Sequence, residues 1–541
     1  MGPHLMPLAR PTTSASPHVA RWLQWAFVFP VLAFAWLRFS DNTADNDLWG
    51  HVLYGQRMLA LGRIETTDVL SWTAAGERWI NHETAAELVL ALVHRAGGSA
   101  GLWFFMMGMA AVTLTWAGVE GTRGRARAAV TLTLLAVSTN FIAMGYAVRP
   151  QLFTMLGFVA LLATLRRFLS GRLAWGWLLP PLFAAWVNFH GGYLAGWLVL
   201  LLAVGVETAT RFSHRSASTD AGRSFAAPLL LVVSCTAALA ANPEGFHLLA
   251  WTLQTVRLPR PSITEWQPMP LSLSAVPFFF VVASTLLAWM LSRRPRHWWQ
   301  AAVLAVLAVM AVLQQRHAPL FGLANLIFTP EHLADALSRL AVHVRGLIET
   351  LHQPAMQAVV GLGLAAAGVA AIAASLRLPR EHAFAIEVPA DVYPVSAIAF
   401  IREHALEGNT ITFFDWGQQV LWELPRNPVS FDGRLDTVYS RAVMDAHWRF
   451  YAGEPPGPAL DFARAAVALL PTASGGVDVL RRNGWKLAYR DPLAAVLVRN
   501  PADFPRLAAA PHPVLTGPSA LQGRARFPDQ PPLLATATRP R

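Results

Sequence analysis

Asp45 and Asp47 stand two residues apart in Thr43-Ala-Asp-Asn-Asp-Leu-Trp-Gly-His51, with an imidazole four residues after the second carboxylate. Acidic side chains are scarce here, because 14% of residues are charged against 54% hydrophobic. A close carboxylate pair beside a histidine can take a proton from an attacking group or hold a divalent cation. One of the two could instead cap the helix expected from His51 to Leu61, which Gly62 closes, because helix N-termini favour negative charge. Capping explains one Asp. It does not explain the cluster with His51, His82 and Glu83.

Basic and amide groups recur at the ends of apolar runs. Arg149-Pro150-Gln151 begins one run, and Arg316-His317 ends another. Such arginines either anchor a helix end at the lipid surface or grip phosphate, whose oxygens match a guanidinium with paired hydrogen bonds. Asn188-Phe-His190-Gly-Gly192 joins two polar side chains to two glycines. That is either a tight turn or a place where a ligand approaches the backbone. Asn242 lies in a similar segment, Ala241-Asn-Pro-Glu-Gly245. Asp415-Trp-Gly417 and Phe431-Asp-Gly-Arg434 follow expected strands and read mainly as turn chemistry.

These residues need a membrane-embedded frame. The 541-residue chain has a mean hydropathy of +0.38. Its apolar runs of about 17–22 residues match the length that spans a hydrocarbon core. We read eleven spans, at 20–38, 99–119, 128–145, 151–165, 174–189, 192–210, 225–241, 273–291, 298–314, 317–339 and 355–377. The first is read as a retained anchor rather than a cleaved signal. The weakest is 317–339, whose hydrophobicity stops near Pro330. Residues 84–93 are apolar but short, as expected of a helix at the interface. The lone Cys235 excludes an internal disulfide.

Arginine clusters at 123/125/127, 166/167/172, 211/215/223 and 293/294/296 fall on one side of this arrangement, together with Arg10 and Arg21. The positive-inside rule makes that side cytoplasmic. It also accounts for the net charge of +11 without nucleic acid. The first loop, 39–98, and the polar span ends then share the opposite, outer face, where they imply one outward-facing pocket. From about 380 the apolar runs shorten to strand length, at 410–414, 428–431, 467–470, 486–489 and 494–498, with a helical pattern over 394–405. This reads as a small extracytoplasmic α/β domain, 380–541, after a membrane domain, 1–379. The Pro-rich tail beyond 500 is expected to be irregular. The chain has no phosphate loop, CxxC set or HExxH, which speaks against ATP-driven transport within it.

The chain resembles the GT-C class of integral-membrane glycosyltransferases. The motif Asp45-x-Asp47-Leu-Trp49-x-His51 is similar to one in a large bacterial branch of that class. So are Gly55, Asp68, Gly76, Trp79 and His82-Glu83, Arg149-Pro150-Gln151, Trp186-x-Asn188-x-His190-Gly-Gly192 and Asn242-Pro243-x-Gly245. Tyr393-Pro394, Trp416-Gly417 and Asp432-Gly433-Arg434 extend the likeness into the C-terminal domain. The resemblance implies an inverting transferase that moves a sugar from a polyprenyl phosphate or diphosphate to a glycan, lipid or protein acceptor at the outer face. Asp47 would then be the catalytic base or a metal ligand, supported by Asp45 and Glu83. Arg149 and Arg316, with His190 and His317, would hold the leaving phosphate. His51, His82, Asn188 and Asn242 would line the pocket, and Asp45, Asp47 and His51 would ligate any Mg²⁺ or Mn²⁺. A lipid-linked saccharide flippase, or a non-catalytic subunit of envelope assembly, are the alternatives.

Overall fold

A computed structural model describes residues 17–123, 128–213, 221–256, 258, 260, 263–343, 354–377, 381–509 and 512–530. Arg10, Arg125, Arg127, Arg215 and the expected domain boundary at 379/380 lie outside the described residues.

Helix α1 (Pro17–Phe39) leads into a loop and the short helix α2 (Leu48–Leu61). Helix α3 (Thr84–Thr122) breaks at Gly98, where φ is 57° and ψ −147°. Its first part is the short segment expected to lie apart from a span, and its second part is the span. The bundle continues with α4 (Ala128–Ile142), α5 (Gln151–Leu169), α6 (Leu179–Trp186), α7 (Tyr193–Ser213) and α8 (Ala221–Ala238). After these come α9 (Phe246–Thr255), α10 (Val276–Leu291), α11 (Trp298–Leu313), α12 (Ala318–Phe328), α13 (Pro330–His343) and α14 (Pro354–Leu376).

Five helical segments are long and apolar enough to cross a membrane: 84–122, 128–145, 151–169, 193–213 and 273–291. Shorter apolar helices lie at 28–39, 173–186, 226–238, 298–313 and 361–376. The protein is an integral membrane protein. These segments fall at ten of the expected spans. The remaining one, 317–339, is divided: α12 is buried from end to end, and the chain bends at Thr329 into the amphipathic α13. Eleven unbroken spans are therefore not what the described helices show. Helix α5 has 19 residues, about 28 Å at 1.5 Å per residue, which approaches the thickness of a hydrocarbon core. Its first residue lines one cavity, and residues of its last turn line another. The same two cavities bracket α11 and α12, so the bundle has two distinct polar ends.

Helices α1 and α14 run side by side in the same direction. Gly368 lies against Phe29 and Pro30, and the Ser40 and Ser375 hydroxyls approach to 3.4 Å. Both helices thus deliver the chain to one end, where the first loop and the C-terminal domain fuse. The Asn42 amide donates to the Ala385 carbonyl at 2.7 Å, and Ala44 N–H to the Glu387 carbonyl at 2.7 Å.

The C-terminal domain holds a five-stranded mixed sheet. With β1 at Glu387–Pro389, β2 at Thr410–Thr412, β3 at Val467–Pro471, β4 at Lys486–Arg490, β5 at Ala494–Val498 and β6 at Val514–Leu515, its order is β2-β3-β5-β4-β6. Strand β7 (Arg524–Arg526) pairs antiparallel with β1. The tail is thus ordered further than its composition suggests, and Phe527 is fully buried beside Trp49 and Trp422. Residues 531–541 lie outside the described residues. The strand expected at 428–431 is reduced to bridges from Val429 to Ser71 and Thr410. Trp72 of the first loop belongs to the core of this domain and donates its Nε1–H to the Thr410 carbonyl at 3.1 Å.

Helix α2 packs closely on α3 because Gly55 has no side chain. A Cβ there would stand 2.1 Å from the Glu87 carbonyl oxygen. Gly55→Ala should push the helices apart at the residues that carry the polar cluster, at a cost of about 1–3 kcal/mol. Thermal unfolding checks this, with Gly108→Ala, which meets nothing within 4 Å, as a control expected to be neutral or stabilising.

Candidate active site

The first loop, the turns of the bundle and the C-terminal domain enclose a cavity of about 530 Å³. Asp47, His51, His82, Glu83, Arg149, His190, Arg316 and His317 all line it.

The start of α2 fixes the two aspartates. Asp45 Oδ1 accepts the Asp47 backbone N–H at 3.0 Å, and the Asp45 carbonyl accepts Leu48 N–H at 3.0 Å. Asp47 occupies the N-cap position, but its side chain makes no capping bond. It turns instead to Arg149, whose Nη2 donates to Asp47 Oδ2 at 2.8 Å while its Nε donates to Asp45. Glu265 is a third, looser partner of Arg149, at 3.6 Å. Arg149 is thus committed to carboxylates. Asp45 sits behind it, off the cavity wall, whereas the Asp47 side chain keeps 27% exposure to the cavity. Burial, with the like charges of Asp45 and Glu83, pushes Asp47 up to about 6 against Arg149 and His51.

Glu83 stands just before α3 and faces three imidazoles. His51 Nδ1 lies 3.9 Å from Oε2, and His82 Nε2 and His190 Nε2 lie 3.9 and 3.8 Å from Oε1. Burial would raise this carboxyl, but His82, His51, His190 and Arg149 hold it below its ordinary value. His190 occupies the turn between α6 and α7. Gly192 N–H donates to its Nδ1 at 3.0 Å, so that nitrogen is an acceptor and the proton resides on Nε2, towards Glu83. Burial pushes His190 down to about 3 against the pull of Glu83, which keeps it a neutral donor. His51 also lies 3.6 Å from Glu87 Oε1. Burial lowers His51, but Glu87, Glu83 and Asp47 outweigh it and raise its pKa.

The far wall is cationic. Arg260 and Arg316 stack on Trp266, at 4.1 and 4.2 Å from the ring centroid. Arg260 is paired with Asp436 of the C-terminal domain at 2.9 Å, while Arg316 has only a 3.9 Å contact with Glu265. Of the two arginines expected to clamp phosphate, Arg316 is the one with an open guanidinium.

Three expectations need correction. Asn188 does not line the cavity; its amide donates to the Ala184 and Ala241 carbonyls at 2.9 and 2.7 Å. Asn242 is likewise absorbed in its own turn, donating to the Leu239 and Gly245 carbonyls and accepting Glu244 N–H. Asp45, Asp47 and His51 are not the group with the closest ligand atoms, and Arg149 bonds to both aspartates. Among the described residues, the group with ligand atoms within 4.8 Å of one another is His51, Glu83 and Glu87.

Arg260, Glu265, Trp266 and Glu87 escaped assignment from the sequence, although the loop holding the first three was expected on the outer face. Arg434 also lines the cavity. It is no simple turn residue: it grips Asp432 with two parallel bonds and Asp68 of the first loop at 2.6 Å.

No protein-family model and no curated protein sequence matches the chain. Solved structures do. The Archaeoglobus fulgidus oligosaccharyltransferase in the apo form is similar at a TM-score of 0.53 and 12% identity, over 90% of this chain and 76% of that one. ArnT from Cupriavidus metallidurans in the apo state is similar at 0.52 and 12%, over 90% and 98%. The archaeal AglB in complex with an inhibitory peptide and a dolichol-phosphate is similar at 0.51 and 12%, over 84% and 70%. The chain has the GT-C fold of integral-membrane glycosyltransferases; identity this low speaks for the fold alone.

Proposed function

We propose that the protein transfers a sugar from a polyprenyl-(di)phosphate donor to an acceptor at the outer face of the cytoplasmic membrane, with its arginine-rich end inside. The observation that carries this reading is that Asp47 and the open guanidinium of Arg316 line one cavity. The acceptor oxygen or nitrogen attacks the anomeric carbon, and its proton passes to Asp47. The bond from that carbon to the phosphate oxygen breaks, and the phosphate leaves with the electron pair. Arg316, with His190, would stabilise the growing negative charge. His317 adds a polar group to the same wall. Asp45 holds Arg149, and Arg149 holds Asp47 in place. The fold relatives support the reading: AglB is described in complex with a dolichol-phosphate, a lipid phosphate of the class proposed here.

His51, Glu83 and Glu87 fit a divalent cation. The donor set mixes imidazole and carboxylate, and His51 Nδ1 is buried without a hydrogen-bond partner. Bound there, Mn²⁺ or Mg²⁺ would supply positive charge to the cavity floor. Chelation should then abolish transfer and added Mn²⁺ should restore it; full activity in chelator would remove the cation.

Arg316→Ala should raise the donor KM about tenfold, the worth of one charged hydrogen bond, and Lys should rescue poorly because the fork geometry is lost. Donor titrations check this, and unchanged binding in Arg316→Ala would end the phosphate assignment. The flippase reading draws on a second basic cavity at the other end of the bundle. Between the two cavities, however, α12 is wholly buried, with Asn325 its lone strongly polar side chain, so no polar path joins them along that helix.

A further inference from the structure

The end of the bundle opposite the active-site cavity holds a separate cavity of about 470 Å³. Its floor is aromatic, with Trp299 and Phe328 edge to face at 5.1 Å between centroids. Its walls are basic, with Arg123, Arg166, Arg167 and Arg172 against Glu120 and Glu331. Both carboxylates are engaged. Glu120 takes Arg167 at 2.6 Å and Arg123 at 3.4 Å, and Glu331 faces Arg294 at 3.9 Å. Among the described residues, Arg166 and Arg172 have no carboxylate partner. Arg166 spends one N–H on the Glu120 backbone carbonyl at 2.9 Å, and the Arg172 side chain makes no bond. Gln300 lines the same space, at 6% exposure.

We propose that this cavity binds a phosphate monoester, with Arg166 and Arg172 on the phosphate oxygens and the Gln300 amide as a neutral donor. Two unpaired guanidiniums match a group that carries about −1.5 to −2 charge near neutral pH. The source that fits best is an anionic lipid headgroup. Basic pockets at helix ends hold such headgroups, and the aromatic floor suits the apolar carbons that free phosphate lacks. Arginines that set topology would thereby also hold a regulatory or structural lipid at the basic end.

The test uses full-length protein in detergent, in an Arg316→Ala background that weakens phosphate binding at the other cavity. It is titrated with short-chain phosphatidic acid, phosphatidylcholine or inorganic phosphate, and binding is read by native mass spectrometry and thermal shift. Phosphatidic acid should bind saturably and phosphatidylcholine should not. Arg172→Gln, an exposed change that leaves the fold alone, should weaken phosphatidic acid about tenfold, and adding Arg166→Gln about tenfold more. Equal affinity for inorganic phosphate would keep the phosphate chemistry and overturn the lipid source. Equal binding of phosphatidylcholine, no binding of either phosphate, or unchanged binding in the double variant would overturn the site.

Discussion

Asp47→Asn should slow sugar transfer by about 10²–10⁴-fold, the usual cost of losing a general base, while the fold and donor binding survive. The side chain caps nothing, so its loss removes no helix-end bond. Asparagine keeps the shape but cannot accept the acceptor's proton. The pH profile of the unaltered protein carries the same signature. A base acts when deprotonated, and burial with Asp45 and Glu83 raises Asp47 to about 6. Activity should therefore be present above about pH 6 and fall as pH drops through that value, and the residual activity of Asp47→Asn should lack this limb. Steady-state rates across pH 4.5–8 would check it, taking that window as roughly 1.5–2 units around the raised pKa. A structural role for Asp47 would instead show as a lowered unfolding temperature with an unchanged limb.

Arg434→Met should destabilise the protein by about 3–5 kcal/mol, because it leaves buried carboxylates unpaired. Arg434 is 6% exposed and joins Asp432 of its own loop to Asp68 of the first loop. The Tyr439 hydroxyl donates to the same Asp432 at 2.8 Å, and the guanidinium lies 5.1 Å from the Trp79 ring centroid. This cluster fastens the C-terminal domain over the cavity. Its loss should lower the thermal midpoint and expose the domain to protease. Lys should recover only part, since a single ammonium cannot make two parallel bonds to Asp432 and reach Asp68 as well. An unchanged midpoint would mean that water already solvates the cluster.

Much of this architecture is legible in the sequence, because membrane spans and strand-length runs are written in the length of apolar segments. The shared face of Asp47, Glu83, His190 and Arg316 follows from counting spans and arginine clusters, without any knowledge of packing. The errors arise where one residue type serves two ends. Asn188 and Asn242 have the amides of a binding pocket and spend them on backbone carbonyls, a choice set by turn geometry. The bonds of Arg149 to Asp45 and Asp47, about a hundred residues away, could not be read from the sequence at all. The Arg260–Trp266–Arg316 stack joins a loop without periodicity to a span end, and only the folded bundle brings them together. Phe527 and β7 were hidden by the Pro-rich composition of a tail that gains its order from β1 and the first loop.

Release of polyprenyl phosphate from a polyprenyl-phosphate sugar is the measurement that bears most directly on the central claim. Purified protein in nanodiscs, supplied with a panel of such donors and a delipidated envelope extract as acceptor source, should accumulate polyprenyl phosphate as labelled sugar moves to the extract. The Asp47→Asn protein should bind the same donor and release about 10²–10⁴-fold less. Equal release by both proteins, or intact donor carried across a proteoliposome bilayer with no release at all, would contradict the assignment of this cavity as a sugar-transfer site.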